Sequence, residues 1–326
     1  MKIAITELRQ KIEKTLNKNL NNDQARVVAD YLLWAEMSGI KTQGIVKMIG
    51  SEPIQDIQPS GEIKVERDTK LSQLINAGAN AALLVSNIAT DTAISKAKEH
   101  GFSIVGVHNT FSSNGALSYY TEQIAKQDLI GIAASRSPGS TAPFDSIDPL
   151  FGTNPISFSF PTDNQPIVFD MATSAMTFYG LILANAKGES IPENMAIDHE
   201  GNPTTSPGIA MDGALLPFDR SYKSSGLGMV VEILTGPLTS AAYCDTALTG
   251  EWGSTFMAID PNLLVDIAQF KSQCSDLVQK IKSSRKKHGV SEIRLPGEKS
   301  HNLYLECVKS GQVEVDEVIL KQLGYV

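Results

Sequence analysis

Three cysteines in 326 residues, Cys244, Cys274 and Cys307, leave this chain without a disulfide framework and without a Cys-x-x-Cys metal pair. No apolar run approaches the roughly 18 residues that a membrane span requires. The first residues, Met1 to Arg9, read as an amphipathic helix and lack the apolar block of a secretory leader. Cations are in deficit: 28 Lys and Arg against 36 Asp and Glu give a net charge of -8. That balance excludes a phosphate-backbone binder, which needs a concentrated basic face. The one basic cluster, Ser283 to His288, follows a helix-like stretch and reads as a solvated helix end with cations near its dipole. A cytoplasmic protein with no nucleic-acid or membrane partner is expected. With 42% hydrophobic residues the chain can bury one large core or two smaller ones.

Catalytic signatures are equally scarce. No Gly-x-Gly-x-x-Gly follows a strand and opens a helix, and there is no Gly-Lys-Ser/Thr phosphate loop. His-Glu-x-x-His and other close metal-ligand spacings are missing, so no metal is expected. The five histidines are scattered. His100 and His288 fall at helix ends and His301 in a C-terminal loop, positions that read as structural or solvated. His108 differs, because it ends a buried strand just before a polar loop.

What is present is an alternation of helical and strand-like stretches. Asn22 or Asp23 can cap a helix whose apolar positions Val28, Leu32, Leu33 and Met37 recur at helical spacing, with Gly39 at its end. The Pro- and Gly-bearing stretch from Pro53 to Gly61 reads as a crossing between domains. A helix over Ala81 to His100, a strand over Phe102 to Val107, a helix over about Ala116 to Gln127 and a strand over Leu129 to Ala134 follow. This order predicts an α/β sheet with loops gathered at the strand ends, where such folds place ligands. Further on come a short strand over Ile156 to Phe160, helices over Lys223 to Ala242 and Leu263 to Lys282, a turn at Pro296-Gly297-Glu298 and a short C-terminal helix.

Three segments stand out by composition: Gly152-Thr153-Asn154-Pro155, Phe169-Asp170-Met171-Ala172-Thr173-Ser174, and Tyr222-Lys223-Ser224-Ser225-Gly226-Leu227-Gly228. The second closes a strand with an acidic residue followed by small ones. The third sets a cation and small residues at a helix start, which suits an anion such as a pyrophosphate. Each alone is only a turn or a cap.

Together and in that order they resemble the type-2 malate/L-lactate dehydrogenase family, which also holds sulfolactate and ureidoglycolate dehydrogenases and cyclic-imine reductases. Lys223 to Leu234 ending Val-Glu-Ile-Leu, Trp252-Gly253, Ala258-Ile259-Asp260-Pro261 and Pro296-Gly297-Glu298 extend the likeness over the whole chain. The resemblance implies an α/β fold of non-Rossmann type: a mixed sheet with flanking helices, plus a helical part from the chain ends. Residues 1–60 would form the N-terminal helical part, 61–240 the cofactor domain, and 241–326 a C-terminal part packing back on the N-terminal helices. It also implies a homodimer and a nicotinamide cofactor, NADPH or NADH. The cofactor would be held by Ser135 and Ser137, by Asp170, Met171 and Ala172, by Lys223, and by Pro296, Gly297 and Glu298.

This sequence departs from the family at the reacting centre. The family's usual Ser-His-Gly-Val-x-Arg is here Thr42-Gln43-Gly44-Ile45-Val46-Lys47, and its later histidine triplet is Ser113-Asn114-Gly115. Histidine exchanges a proton near neutral pH, whereas a serine without an adjacent base does so poorly and glutamine cannot. Lysine in place of arginine keeps a point charge but forfeits the bidentate grip on a carboxylate. The expected activity is therefore reduction of a C=N or C=O bond of a small carboxylate, with Ser113, Gln43, Asn114 and Thr42 orienting it and Lys47 taking its carboxylate. A protonated iminium needs only hydride, which suits such a site. The alternatives are a conventional 2-hydroxy-acid dehydrogenase whose proton carrier has moved to His108 or to Tyr119 or Tyr120, and a non-redox member of the family.

Overall fold

The computed structural model describes residues 1–49, 53–244 and 250–326. Along the first half lie β1 (Lys2–Ala4), α1 (Ile5–Leu16), α2 (Asn22–Met37), β2 (Lys64–Asp68), β3 (Ser72–Asn76), α3 (Ala82–His100), β4 (Phe102–Thr110), α4 (Ser118–Ala125), β5 (Ile130–Arg136), β6 (Ile156–Phe160) and β7 (Ile167–Met171). The second half adds α5 (Phe178–Lys187), β8 (Ala196–Ile197), β9 (Pro203–Thr204), α6 (Pro207–Asp212), β10 (Ala214–Leu215), α7 (Tyr222–Thr235), β11 (Trp252–Ile259), α8 (Ile267–Ser283), α9 (Glu298–Ser310), β12 (Gln312–Glu314) and α10 (Glu317–Gln322). None of the described helices is long and apolar enough to cross a membrane.

Seven strands form one mixed sheet in the order β2-β3-β4-β11-β5-β6-β7. Strands β3 and β4 run parallel, which no tight hairpin can connect, and α3 supplies the crossover. Helix α3 lies close on the sheet because Ala89, Ala93 and Ala97, one helical turn apart, are fully buried there. The Ser103 hydroxyl donates to the Ala93 carbonyl at 2.6 Å across that contact. Strand alternation then divides the sheet into two faces. Val105, Val107, Ala133 and Phe256 point into the core with α3 and α4, while Ala134 and Ile156 pack on Val231 of α7 on the other face.

The chain ends meet beside the α3 face. Strand β1 pairs antiparallel with β12, Lys2 opposite Glu314, and the Lys11 ammonium donates to the Tyr325 carbonyl at 2.6 Å. Leu8, Ile12 and Leu16 of α1 share a core cluster with Val28, Tyr31 and Leu32 of α2 and with the sheet residues Val105 and Phe256.

This is the expected mixed sheet with flanking helices, with several local differences. Residues 2–4 are a strand, since the backbone partner supplied by β12 outweighs the amphipathic pattern. Asn21 caps α2 in place of Asn22 or Asp23, its side chain accepting from the Gln24 backbone. Helix α7 stops at Thr235 because Gly236-Pro237 cannot continue it. Two helices, α9 and α10, stand where one C-terminal helix was expected. The α/β core also runs past residue 240: β11 lies in mid-sheet between β4 and β5. It pairs antiparallel with both of them.

Candidate active site

The segment carrying Thr42, Gln43 and Lys47 is pinned from below by Glu36 of α2. The Glu36 carboxylate is 2% exposed, accepts the Ile45 backbone N–H at 3.0 Å and pairs with the Lys41 ammonium at 2.9 Å. Burial raises its pKa, against Lys41 and the Ile45 amide. Gly44 has to be glycine, because a Cβ there would collide with the Glu36 carboxylate. In the segment so held, the Gln43 side-chain oxygen is buried without a hydrogen-bond partner. Thr42 is half-buried beside it. Lys47 is half-buried too, and desolvation alone pushes its pKa down to about 8; no described carboxylate offsets it. A cation in that state is stabilised by any anion that reaches it.

The second segment is held by Tyr31 on the same helix. The Tyr31 hydroxyl accepts the Ala116 backbone N–H at 2.6 Å, and Gly115, at φ +77°, leaves no room for a Cβ beside that hydroxyl. Ser113 is half-buried, and its oxygen accepts the Gly115 N–H at 3.1 Å. Asn114 is spent on structure. Its amide nitrogen donates to Ser86 at 2.7 Å and Ser254 at 3.3 Å, and its oxygen accepts from the Ser135 hydroxyl at 2.8 Å. Asn114 and Ser135 are thus struts joining α3, β5 and β11. Tyr119 and Tyr120 sit in an aromatic cluster with Tyr31, their pKa values raised by burial.

Asp170, the penultimate residue of the edge strand β7, turns toward α4. Its carboxylate accepts the Ser118 backbone N–H at 2.8 Å and so caps α4, which is why that helix begins two residues later than its sequence pattern. Burial raises the Asp170 pKa against the N–H groups of Ser118 and Leu117. The next residue, Met171, faces the other way, onto Leu227 and Val231 of α7. Ala172 is half-buried after it. The turn before α9 rests on the same strand: Gly297, at φ +77°, packs so closely that a Cβ would lie 2.8 Å from the Val168 carbonyl oxygen. Pro296 is exposed, and the Glu298 carboxylate is taken up by Lys282 and by the Leu295 N–H.

These elements enclose a cavity of about 310 Å³. Trp34, Ser38 and Ile40 from the end of α2, Ala116 and Ser118 from the start of α4, and Asp170, Gly297 and His301 line it. Ile40 and Ala116, which flank the two segments carrying the candidate catalytic residues, line it, whereas Thr42, Gln43, Lys47, Ser113 and Asn114 are not among its lining residues.

The remaining candidates lie elsewhere. His108 extends from the sheet face opposite α3, where its ring bonds Glu66 at 2.9 Å. Lys223 stands at the exposed start of α7, its backbone N–H capped by Ser221. Asp219 already serves that helix start through Ser221 and Ser224, which hold its pKa down to about 2. Ser137 is buried, and near it the side-chain oxygens of Ser140, Thr141 and Asn154 are buried without partners. Beneath them the fully buried Arg136 donates to Glu232 of α7 at 3.1 Å.

Glu36, Tyr31 and His301 were not anticipated. For Glu36 a signal existed, a lone carboxylate inside Leu32-Leu33-Trp34-Ala35-Glu36-Met37. A charge there is buried and needs partners. Nothing local marks His301, whose position depends on how α9 docks.

Comparison with known proteins agrees with this architecture. Residues 3–324 match the family described as malate/L-lactate dehydrogenase. The chain is 33% identical over 316 residues to an L-sulfolactate dehydrogenase of Methanothermobacter thermautotrophicus, covering 94% of this chain and 90% of that one. It is 28% identical to a Delta(1)-pyrroline-2-carboxylate/Delta(1)-piperideine-2-carboxylate reductase of Pseudomonas putida, covering 92% and 90% of the two chains. The solved sulfolactate dehydrogenase of Methanocaldococcus jannaschii superposes with a TM-score of 0.85 at 28% identity, over 99% of this chain and 95% of that one.

Proposed function

The chain belongs to the malate/L-lactate dehydrogenase family and is an oxidoreductase, and from that premise we propose that it reduces a C=N or C=O bond of a small carboxylate with NADH or NADPH. The observation that carries this reading is the pair formed by Lys47 and Gln43. A half-buried ammonium without a described counter-ion and a buried amide oxygen without a donor stand on the one short segment that follows the cavity-lining Ile40. A carboxylate offsets the first, and an N–H or O–H beside it satisfies the second. Thr42 precedes Gln43 and Ser113 stands three residues before the cavity-lining Ala116, while Asn114 acts by holding its neighbours in place.

The residues fit a dinucleotide. Asp170 and Gly297 line the cavity, Lys223 presents a cation, and the unpartnered oxygens of Ser140, Thr141 and Asn154 beside Ser137 await donors. Such a cofactor supplies the hydride, and the protein's part is binding, orientation and charge. Ser135, Met171, Ala172, Pro296 and Glu298 shape its contact segments. Nicotinamide fluorescence on titration with NADH and NADPH should show saturable binding of at least one; binding of neither refutes the reading. Turnover with a panel of cyclic imine carboxylates and 2-oxo acids then identifies the bond reduced.

We also infer a homodimer. Tyr222, Met229, Val230 and Ile233 form an exposed apolar stripe along α7, at the three- and four-residue spacing of one helix face. Light scattering should report two chains per particle, and Ile233→Glu should shift it toward one. A particle of one chain in the unsubstituted protein refutes the dimer.

A further inference from the structure

We propose that His301 is the catalytic residue that exchanges the proton when this site converts a 2-oxo acid and a 2-hydroxy acid, an inference resting on the reading of the cavity given above. Such a conversion asks for a group that gives and takes a proton near neutral pH. Of the five histidines, His108 is committed to Glu66, His100 lies beside Glu99 at the end of α3, and His199 and His288 are exposed. Only His301 lines the cavity. It stands one turn into α9, its N–H bonded to the Gly297 carbonyl at 3.0 Å, so the turn that packs on β7 fixes where the ring sits. No hydrogen bond among the described residues engages its ring nitrogens.

The titratable groups sharing the cavity wall are Asp170 from β7, Glu122 from α4 and Tyr304 from α9 itself. Glu122 is paired with Lys126 at 2.8 Å, and Asp170 caps α4. Of the side-chain types on this wall only an imidazole both gives and takes a proton near neutral pH, and no structural bond among the described residues engages this one. In the reducing direction a bound reduced nicotinamide would supply the hydride to the carbonyl carbon, and the C=O π pair would move to oxygen. That oxygen takes the proton of the His301 imidazolium, which is recharged from water. In the oxidising direction the neutral ring accepts the hydroxyl proton. A protonated cyclic imine makes no such demand, because hydride addition leaves a neutral amine.

His301→Asn separates the two demands. Reduction of a 2-oxo acid should lose about 100-fold or more in kcat, and the pH dependence of the remaining rate should lose the limb owed to this ring. Cyclic imine turnover should fall far less, because that reaction takes no proton from the ring. In the unsubstituted protein, the imidazole Cε1–H resonance that vanishes in His301→Asn should shift when oxamate, an isostere of a 2-oxo acid, binds with NADH. Undiminished 2-oxo acid turnover in the variant overturns the inference, as does its absence in the unsubstituted protein. A loss confined to NADH affinity overturns it too, making the ring a cofactor contact. If the unsubstituted protein binds neither dinucleotide, the functional reading itself fails, a result distinct from any failure of His301.

Discussion

Arg136→Met should destabilise the protein by about 3–5 kcal/mol near neutral pH, measured by urea unfolding. Arg136 has no exposed surface, and Glu232, on α7 across the sheet face, is 3% exposed. The Glu232 carboxylate accepts from the Arg136 Nε at 3.1 Å, from the Asn154 amide at 2.8 Å and from the Cys244 N–H at 2.8 Å. Removing the guanidinium leaves a carboxylate deep in the protein with two neutral donors and no described cation. Intact, the pair need not add net stability, because desolvating two ions offsets most of their attraction; breaking it exposes the full cost. The loss should depend on pH. A lone buried carboxylate costs stability only while it is charged, so the variant's deficit should be largest near neutral pH and shrink in acid. Unfolding curves at acid and neutral pH should therefore converge on the unsubstituted protein as pH falls. Equal losses at both would show that the damage is lost packing, not an uncompensated charge.

The second large effect is on catalysis. Lys47→Ala should lower kcat/KM for a carboxylate substrate by a factor on the order of 30 to several thousand, corresponding to about 2–5 kcal/mol for truncating one member of a desolvated charge pair. NADH affinity should hold. Since Lys47 titrates near 8 in the free protein, kcat/KM should fall about tenfold per pH unit above that value as the ammonium is lost. Arginine stays charged throughout, so Lys47→Arg should abolish the alkaline limb and tighten the carboxylate. The same lowered pKa has the opposite sign for folding. Below about 8 both states carry the proton and the folded one bears the desolvation; between about 8 and 10.5 the folded state sheds it first, so stability rises with pH. An alkaline limb that survives in Lys47→Arg would mean that another group sets it.

Much of the fold was legible from local pattern. The helix over Ala82–His100 ends at Gly101, whose φ is +85°, and β6 spans the same Ile156–Phe160 that alternation marks. Both depend on neighbours a few residues away. At the site, Gln43 stood out as a residue type that cannot transfer a proton and Lys47 as a point charge in place of arginine, and the structure leaves each with an unmet need. The availability of Asn114 and His108 was not legible for one reason: it depends on their partners, Ser86, Ser254, Ser135 and Glu66, distant in sequence.

The sequence by itself determined the α/β class and the family, because periodicity, turn chemistry and residue type are local properties. Tertiary structure alone decided that β11 enters the middle of the sheet, that Glu36 and Tyr31 set two distant segments from one helix, and that His301 reaches the cavity. Each depends on contacts between residues far apart in the chain, where buried area and hydrogen-bond satisfaction choose the partner and local propensity is silent.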